Sequence, residues 1–427
     1  MIKHPIVRQL LPHAASIVIF LLVAAIYFYP QLQGMELQAG DIVSFKGMSH
    51  ELKEHQEKTG EVSLWTNAMF GGMPAYQISV PYKKNLMRYV EQVTHLFMLR
   101  PIGYAICLMI GFYLMLILFG VNQWLSLIGA VTFGLTSNTL ILMEAGHMTK
   151  VRSIAFWGIL LVGVVRAYQG KFLSGGVLFS LGLALGLLAN HVQMTYYFFL
   201  VMGIFVVMKL VEAIQTKQLP TFAKASGVLL VGLVLALGTS TSNLWSTYVY
   251  SKDTMRGDPI LKLEGDAKPS SSSEVSGLDW ENAMMWSNGW LDCAASLIPG
   301  VAGGGTGEYV GESSAFYKGL QRLGARLDGR VQAPLYWGSL PFTSGPSYFG
   351  AAIIFLFMAS LIWVKGPIKW WLLSGVVLTF VLSMGKNIAF INHPLFDYLP
   401  LLNKFRTPNS VLTVTSFLVP LLAFLGL

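Results

Sequence analysis

The sequence predicts an all-α, polytopic membrane protein: a bundle of about ten transmembrane helices with two large external loops. Three observations predict it. Apolar residues make up 54% of the 427-residue chain and charged residues only 12%, where ordinary soluble domains carry about 25% charged residues. The mean hydropathy is +0.58, and the apolar residues fall in repeated runs of about 17–25, long enough to cross a hydrocarbon core of about 30 Å. The cations are also unequally divided between the two sides that such runs define. The short alternating segments of a β-barrel are missing.

The N-terminus is basic, with Lys3 and Arg8, and leads into a first run over 14–30 that closes in Tyr27-Phe28-Tyr29, an interfacial aromatic belt. No small-residue cleavage site follows, so this run reads as a retained anchor. A first loop covers 31–99. Its middle, 48–60, is charged and predicted helical, and 83–100 mixes charged and apolar residues at the spacing of a helix lying in the interface. Further spans are predicted over 101–120, 125–143, 154–165, 173–189, 195–210 and 227–244. A second large loop covers 246–346, and the last spans are 348–364, 370–384 and 411 to the end. The chain stops at Leu427 inside an apolar run without a polar anchor, which predicts that 1–427 is a transmembrane domain continued by a further segment.

With the N-terminus in the cytoplasm, the short cytoplasmic connections hold Arg166, Lys171, Lys209, Lys217, Lys224, Lys365 and Lys369, with Glu212 as their one acid. This is the asymmetry of the positive-inside rule. The net charge of +8 thus belongs mainly to topology and does not point to nucleic acid. Cys107 lies in an apolar run and Cys293 in a loop, so two cysteines give no disulfide framework. Both long loops and the connections 144–152, 190–193 and 386–408 must then be external, and they hold nearly all the chemically interesting residues.

Asp41 follows Gly40 shortly after the first span, ahead of a loop rich in Gly, Pro and aromatic residues that includes Trp65, Phe70-Gly71-Gly72-Met73-Pro74 and Tyr76. A carboxylate there could act as a general base or help to hold a divalent cation such as Mg or Mn. The plainer reading is a solvated aspartate or a helix N-cap. The densest polar cluster runs from Glu144 through His147 and Lys150 to Arg152, with almost no loop between two apolar runs. If helical, Glu144, His147 and Arg152 share a face. A simple turn with snorkelling cations, or a Glu–Lys pair, would also account for it. Lys150 and Arg152 nevertheless lie on the external side, against the topological rule, and cations so placed suit phosphate recognition.

Asn190-His191-Val192-Gln193 interrupts the apolar pattern, with Tyr196 and Tyr197 behind it; such groups can bind sugar hydroxyls or cap helix ends. Lys386-Asn387 and Asn403-Lys404-Phe405-Arg406-Thr407-Pro408 bracket a segment with His393-Pro394 and Asp397 that reads as re-entrant or irregular. Lys404 and Arg406 suit a phosphate partner or an anchor to anionic lipid. In the second large loop, Gly303-Gly304-Gly305-Thr306-Gly307 lacks the Gly-Lys-Ser/Thr ending of a P-loop and reads as a flexible loop, and 268–276 is rich in serine. Trp280, Trp286, Trp290, Tyr336 and Trp337 suit contact with sugar or lipid, or packing on the membrane. No zincin, Walker or Gly-x-Ser-x-Gly motif is present, which argues against a zincin protease, an ATP-driven pump and a serine hydrolase.

Taken together, Gly40-Asp41, the Trp65 to Pro74 loop, Glu144 with Gly146-His147 and Lys150, the 190–193 junction and the 404–408 segment resemble the bacterial YfhO-like membrane protein family, within the GT-C class of polyprenyl-dependent glycosyltransferases. The resemblance covers essentially the whole chain and rests on the order and sidedness of the set. It implies a GT-C-like bundle in the bacterial inner membrane. It also implies transfer of a sugar from a polyprenyl-phosphate-linked donor to an envelope glycan or protein acceptor on the external or periplasmic face. Asp41 is implied as base and Glu144 as second acid. In this reading Lys150, Arg152, Lys404 and Arg406 bind the donor phosphate. Trp65, Tyr76, His147, Asn190, His191 and Gln193 bind sugar or acceptor. The family's paired acid beside Asp41 is missing, which puts a metal site there in doubt. Two other classes compete: a transporter or flippase of a lipid-linked sugar or other amphiphile, and a non-catalytic scaffold. A transporter would be expected to show repeated halves and broken helices at mid-membrane.

Overall fold

The computed structural model describes residues 5–80, 82, 84–97, 100–257 and 277–427. Lys83 and the serine-rich stretch 268–276 lie outside the described residues. The chain is mostly helical, and six of the described helical segments are long and apolar enough to cross a membrane. They are Leu10–Tyr27, Gln123–Glu144, Met148–Tyr168, Val192–Gln215, Leu219–Thr239 and Pro408–Leu425. A seventh candidate is a bent pair, Ile368–Ser383 and Gly385–Tyr398, and three shorter apolar helices, Ile102–Leu118, Phe172–Leu188 and Ala351–Trp363, pack among them. This is a multi-pass membrane architecture; seven of the ten expected spans overlap the six long helices and the bent pair, and the other three overlap helices shorter than a full crossing. The described strands are short: Trp65–Thr66 pairs antiparallel with Met73–Pro74, and Glu308–Val310 with Val331–Ala333.

The core is built around the last helix, Leu412–Leu425, buried along nearly its whole length. Phe417 sits at its centre, edge-on to Phe112, Phe133, Trp157 and Phe198 at 5.5–5.8 Å between ring centroids. Edge-to-face aromatic pairs are favoured by their quadrupoles. Trp371 donates its indole N–H to the Val201 carbonyl at 2.8 Å, so a buried polar handle is satisfied across two helices. Helices Trp157–Tyr168 and Phe172–Leu188 approach so closely that small residues must line the seam; a Cβ on Gly163 would stand 2.3 Å from the Phe179 nitrogen.

Several boundaries differ from the sequence reading, each for a local reason. Helix Leu219–Thr239 stops before the expected end at 244. There the Thr239 and Thr241 hydroxyls turn back onto the carbonyls of Ala236 and Leu237, at 2.7 and 3.1 Å, and compete with the helix. The expected irregular element after residue 384 is a bend of 108°. Asn392 holds it, its amide donating to the carbonyls of Val381 and Gly385 at 2.8 and 2.9 Å. The run Gly303–Gly307, expected to be a flexible loop, is pinned. Gly304 N–H donates to Leu335 O at 2.9 Å and Thr306 N–H to Thr343 O at 2.8 Å. Gly303 has φ +78° and lies against the Leu335 carbonyl, where a Cβ would fit nowhere. The hub of this loop is Asp292, a buried carboxylate that accepts from Gly289 N–H, Ser339 N–H and Tyr336 O–H at 2.8, 3.0 and 2.6 Å. Both cysteines are free.

Candidate functional site

Asp41 lies in the first turn of helix Gly40–Met48, with Ala39 as the N-cap residue in extended conformation. The aspartate is therefore not itself the cap. Its charge complements the helix N-terminus, as Lys46 complements the last turn. Ala39 is buried, and this end of the helix docks onto the turn at Gly146. Gly146 has φ +87°, and a Cβ there would stand 3.0 Å from the Ala39 Cβ and 3.1 Å from the Asp41 Cβ. The close approach brings the Asp41 carboxylate to His147, with Oδ2 2.9 Å from Nδ1.

The cluster from Glu144 to Arg152 is not one helix. Helix Ser137–Glu144 ends in a Schellman turn, in which His147 N–H donates to Leu142 O and Gly146 N–H to Met143 O. A new helix, Met148–Ala155, then starts. The expectation that Glu144, His147 and Arg152 share a helical face is thus overturned by the left-handed glycine between them. Glu144 is exposed and lines a cleft of about 690 Å³ with residues of the second large loop, among them Gly305, Glu308 and Thr343. The structure joins it to that loop and not to Asp41.

Lys150 donates to the Ser410 hydroxyl at 3.1 Å and feels both the attraction of Asp41 and the repulsion of Arg406. Arg406 is exposed, and its carbonyl accepts from the Gln193 amide at 2.5 Å. That amide also reaches the Tyr197 hydroxyl at 2.9 Å. Lys404 is tied back: its ammonium donates to Arg256 O at 3.0 Å, while the Arg256 guanidinium donates to Lys404 O at 3.1 Å. Burial and the nearby Arg406 charge hold Arg256 below the ordinary guanidinium range. Arg152 is committed elsewhere. It makes a largely buried ion pair with Glu91, its Nε donating at 2.6 Å, and so clamps helix Met87–Thr94 to helix Met148–Ala155.

His147 and His191 are electrostatic neighbours. Burial, then the Lys150 charge, lower the His147 pKa, and Asp41 offsets part of this. The lowered pKa favours the neutral imidazole, whose Nδ1–H is placed to donate to the Asp41 carboxylate. At His191, burial, reinforced by the Lys150 and His147 charges, brings the pKa down to about 3. Its Nδ1 is sealed from solvent with no partner among the described residues. Asn190 caps helix Phe172–Leu188 in left-handed conformation, φ +60°, so its capping reading holds for the backbone. Its side chain accepts from the Asn243 amide at 2.7 Å and lines a polar cavity of about 950 Å³. Tyr76 and Arg152 line the same cavity, and Tyr76 stands edge-on to Tyr250. Trp65 is exposed on the first hairpin, over Gly72, its indole N–H donating to Asn67 at 3.1 Å. Glu51 secures that hairpin by accepting from the Thr66 hydroxyl and from the N–H groups of Asn67 and Ala68, and these hydrogen bonds, the Thr66 hydroxyl's first, draw its carboxyl below the usual range.

The structure therefore brings Asp41, His147, Lys150, His191, Gln193 and Arg406 to one end of the bundle, and collects Tyr76, Asn190 and Arg152 around an adjoining cavity. Sequence reasoning missed Ser410, Glu91 and Arg256, whose partners lie far away in the chain. Glu91 could have been found as the one acid of helix Met87–Thr94; neither Arg256, in the charged stretch 252–258, nor Ser410 carries such a signal. Among the described residues no three His, Cys, Asp or Glu side chains assemble into a metal site. Asp41 is engaged by an imidazole rather than a second carboxylate, so the residues present do not form a cation cage, and no step of the chemistry is routed through one. Comparison with protein-family models, with curated proteins and with solved structures gives no match.

Proposed function

We propose that the protein is an integral membrane glycosyltransferase of the GT-C kind, with a bundle of about ten spans in a bacterial inner membrane and its reactive end on the periplasmic or external face. The single observation that carries the reading is the junction of an open carboxylate with cations. Asp41 meets His147 at 2.9 Å within the electrostatic reach of Lys150, which also feels Arg406. The resemblance of the residue set to YfhO-like proteins supports the same reading.

His147 holds Oδ2 of Asp41, and the carboxylate, 62% exposed, keeps Oδ1 open to an incoming group. An acceptor hydroxyl gives its proton to that oxygen as its own oxygen attacks the anomeric carbon of a lipid-phosphate-linked sugar. The bond from the anomeric carbon to the phosphate oxygen breaks, and the electron pair leaves on the lipid phosphate. Lys150 and Arg406 stabilise this developing charge, a task suited to cations fixed in advance. Gln193 holds the Arg406 backbone in place, and Tyr76 with Asn190 offers the acceptor a polar wall.

The test is sugar transfer in membranes from a labelled polyprenyl-phosphate sugar, wild type against Asp41→Asn. Release of polyprenyl phosphate and labelled product by wild type alone is expected. Equal turnover by both proteins would remove Asp41 as base. No turnover across a panel of donors, with protein-dependent movement of the lipid between leaflets, would replace the transferase with a transporter.

A further inference from the structure

Two neighbouring helices stop short at the same end of the bundle. Helix Ala351–Trp363 has 13 residues and helix Ile368–Ser383 has 16. At about 1.5 Å per residue they measure about 20 and about 24 Å. A hydrocarbon core is about 30 Å thick, and tilt only widens the shortfall. Their adjoining ends are anchored. Trp363 and Trp370 are exposed there, and Lys369, over the Trp370 ring at 5.5 Å, donates to Leu361 O at 2.8 Å. With Lys365 this is the aromatic and cationic belt of a membrane interface. Measured from that belt, the core reaches about 6–10 Å beyond Gly350 and Ser383 at the opposite end.

Chain from the second large loop and from the bend lies over both short ends. Phe349 N–H donates to Ser296 O at 3.1 Å and Asn288 N–H to Ser383 O at 2.9 Å, so 288–296 bridges them. The Asn387 amide donates to Asn288 O at 2.8 Å and brings in helix Ala389–Tyr398, beyond the 108° bend. These segments leave Trp290, Leu291, Leu297, Ile298, Phe390 and Ile391 exposed, Trp290 at 73% and Phe390 at 80%. Between Glu281 and Glu308 the one charged residue is Asp292. It is buried, and its three hydrogen bonds are spent inside the loop. Between Lys386 and Asp397 no side chain carries a fixed charge. The backbone is closed as well: the N–H groups of Cys293, Ser296, Leu297 and Ile298 donate to the carbonyls of Gly289, Cys293, Ala294 and Ala294. Chain that meets lipid must satisfy its backbone internally in this way. An apolar patch continuous with the ends of two spans, with no outward charge and a paired backbone, fits the bilayer itself.

We propose that 288–298 and helix Ala389–Tyr398 form a platform seated in one leaflet, at the boundary between head groups and acyl chains, with these six side chains turned to the lipid tails. The platform also bears on the cation cluster. Thr407 N–H donates to Ala283 O at 3.0 Å and Asn409 N–H to Trp286 O at 3.1 Å. A Cβ on Gly385 would collide with Ser287 Oγ and Pro408 Cγ, so the bend, the loop and 407–409 are packed as one piece. Next in the chain is Ser410, which receives Lys150. The depth of the platform thus sets the height of Lys150 and Arg406 above the lipid tails. Only the use of that height in sugar transfer rests on the proposed function; the seating in the leaflet does not.

The test uses the full chain in phosphatidylcholine bilayers, with Cys293→Ser to remove the partly exposed thiol; Cys107 is buried. Nitroxide labels are placed one at a time at Ile298→Cys and Phe390→Cys. Phe355→Cys, exposed in mid-span, and Glu57→Cys, on the charged helix His50–Thr59, serve as lipid and water references. Power saturation reads the collision of each label with oxygen, which enters lipid, and with a water-soluble nickel chelate. Labels at 298 and 390 are expected to collide more with oxygen than with nickel, as at 355 and opposite to 57. Shortening the acyl chains is expected to raise nickel contact at 298 and 390 before it does at 355. Nickel contact equal to that at 57 would overturn the proposal, because the patch would then face water. Loss of both collisions would overturn it as well, since another protein surface, such as a second copy of the chain, would then cover the patch. Sugar transfer enters none of these readings, so the Asp41 assay and this one fail separately.

Discussion

The junctions at 145–148 and 189–192 use the same backbone device. A helix ends in a left-handed residue, Gly146 or Asn190, and a histidine, His147 or His191, occupies the N-cap position of the next helix. Their imidazoles then meet different surroundings. His147 touches the Asp41 carboxylate, and His191 turns a bare nitrogen into the protein. The first histidine keeps a partner that steadies its charged form; the second meets burial and like charges with only a backbone hydrogen bond to offset them, and its pKa falls to about 3. Similar turns thus yield one histidine hydrogen-bonded to a carboxylate and one without a partner among the described residues, and the pKa of each is lowered. What differs is the long-range partner, helix Gly40–Met48, which docks on one junction only.

The comparison breaks most sharply at Asp41. Asp41→Asn should lower sugar transfer by about 10²–10⁴-fold, the usual share of a positioned base, while Glu144→Gln, on the separate cleft, should leave it within about twofold of wild type. Initial rates of the two variants, normalised to inserted protein, check this; a larger loss at Glu144 would reverse the assignment.

Acid stability is the next largest effect. Unfolded His191 titrates at the ordinary value near 6.5 and folded His191 near 3. Between these the unfolded state holds more protons, so stability rises with pH across the window and is lost as pH falls from about 6.5 towards 3. The loss is on the order of a few kcal/mol. The unfolding midpoint of wild type is expected to fall more steeply than that of His191→Gln as pH drops through that range, and parallel curves would show that the histidine does not titrate as described. His147, whose pKa is also lowered, contributes in the same direction below 6.5. Asp41→Asn removes the attraction that offsets this, so the His147 imidazole should titrate still lower in that variant. NMR of the labelled ring checks the direction.

The two left-handed residues give the smallest contrast. Gly146→Ala forces a Cβ into φ +87° and against Ala39 and Asp41, and should cost about 1–2 kcal/mol. Asn190→Gly keeps the left-handed conformation and loses the contact with Asn243, for about 1 kcal/mol or less. Thermal midpoints of the two variants should fall in that order.

Much of the fold was legible because the bilayer imposes its length and polarity on each span independently. Runs such as 195–210 needed no tertiary information, and the helices around them are where hydropathy puts them. The breaks were less legible. The cut of the 227–244 span at Ser240 comes from side-chain hydroxyls competing for backbone carbonyls, and the split of 144–152 comes from one glycine in a turn. Of the candidate site, the residue types at Asp41, His147, Lys150 and Arg406 stood out as polar groups in apolar surroundings. Their grouping did not, and neither did the diversion of Arg152 to Glu91 or of Glu144 to the second loop.

The sequence by itself thus determined the class of the protein and the end of the bundle at which its polar residues gather, since both follow from local transfer energies summed along the chain. Only the tertiary structure decided which of those residues meet. Contacts such as Asp41 with His147, Lys150 with Ser410 and Gln193 with Arg406 join segments about 100 to 260 residues apart. They depend on how helix ends pack, and a one-dimensional pattern of hydropathy carries no term for that.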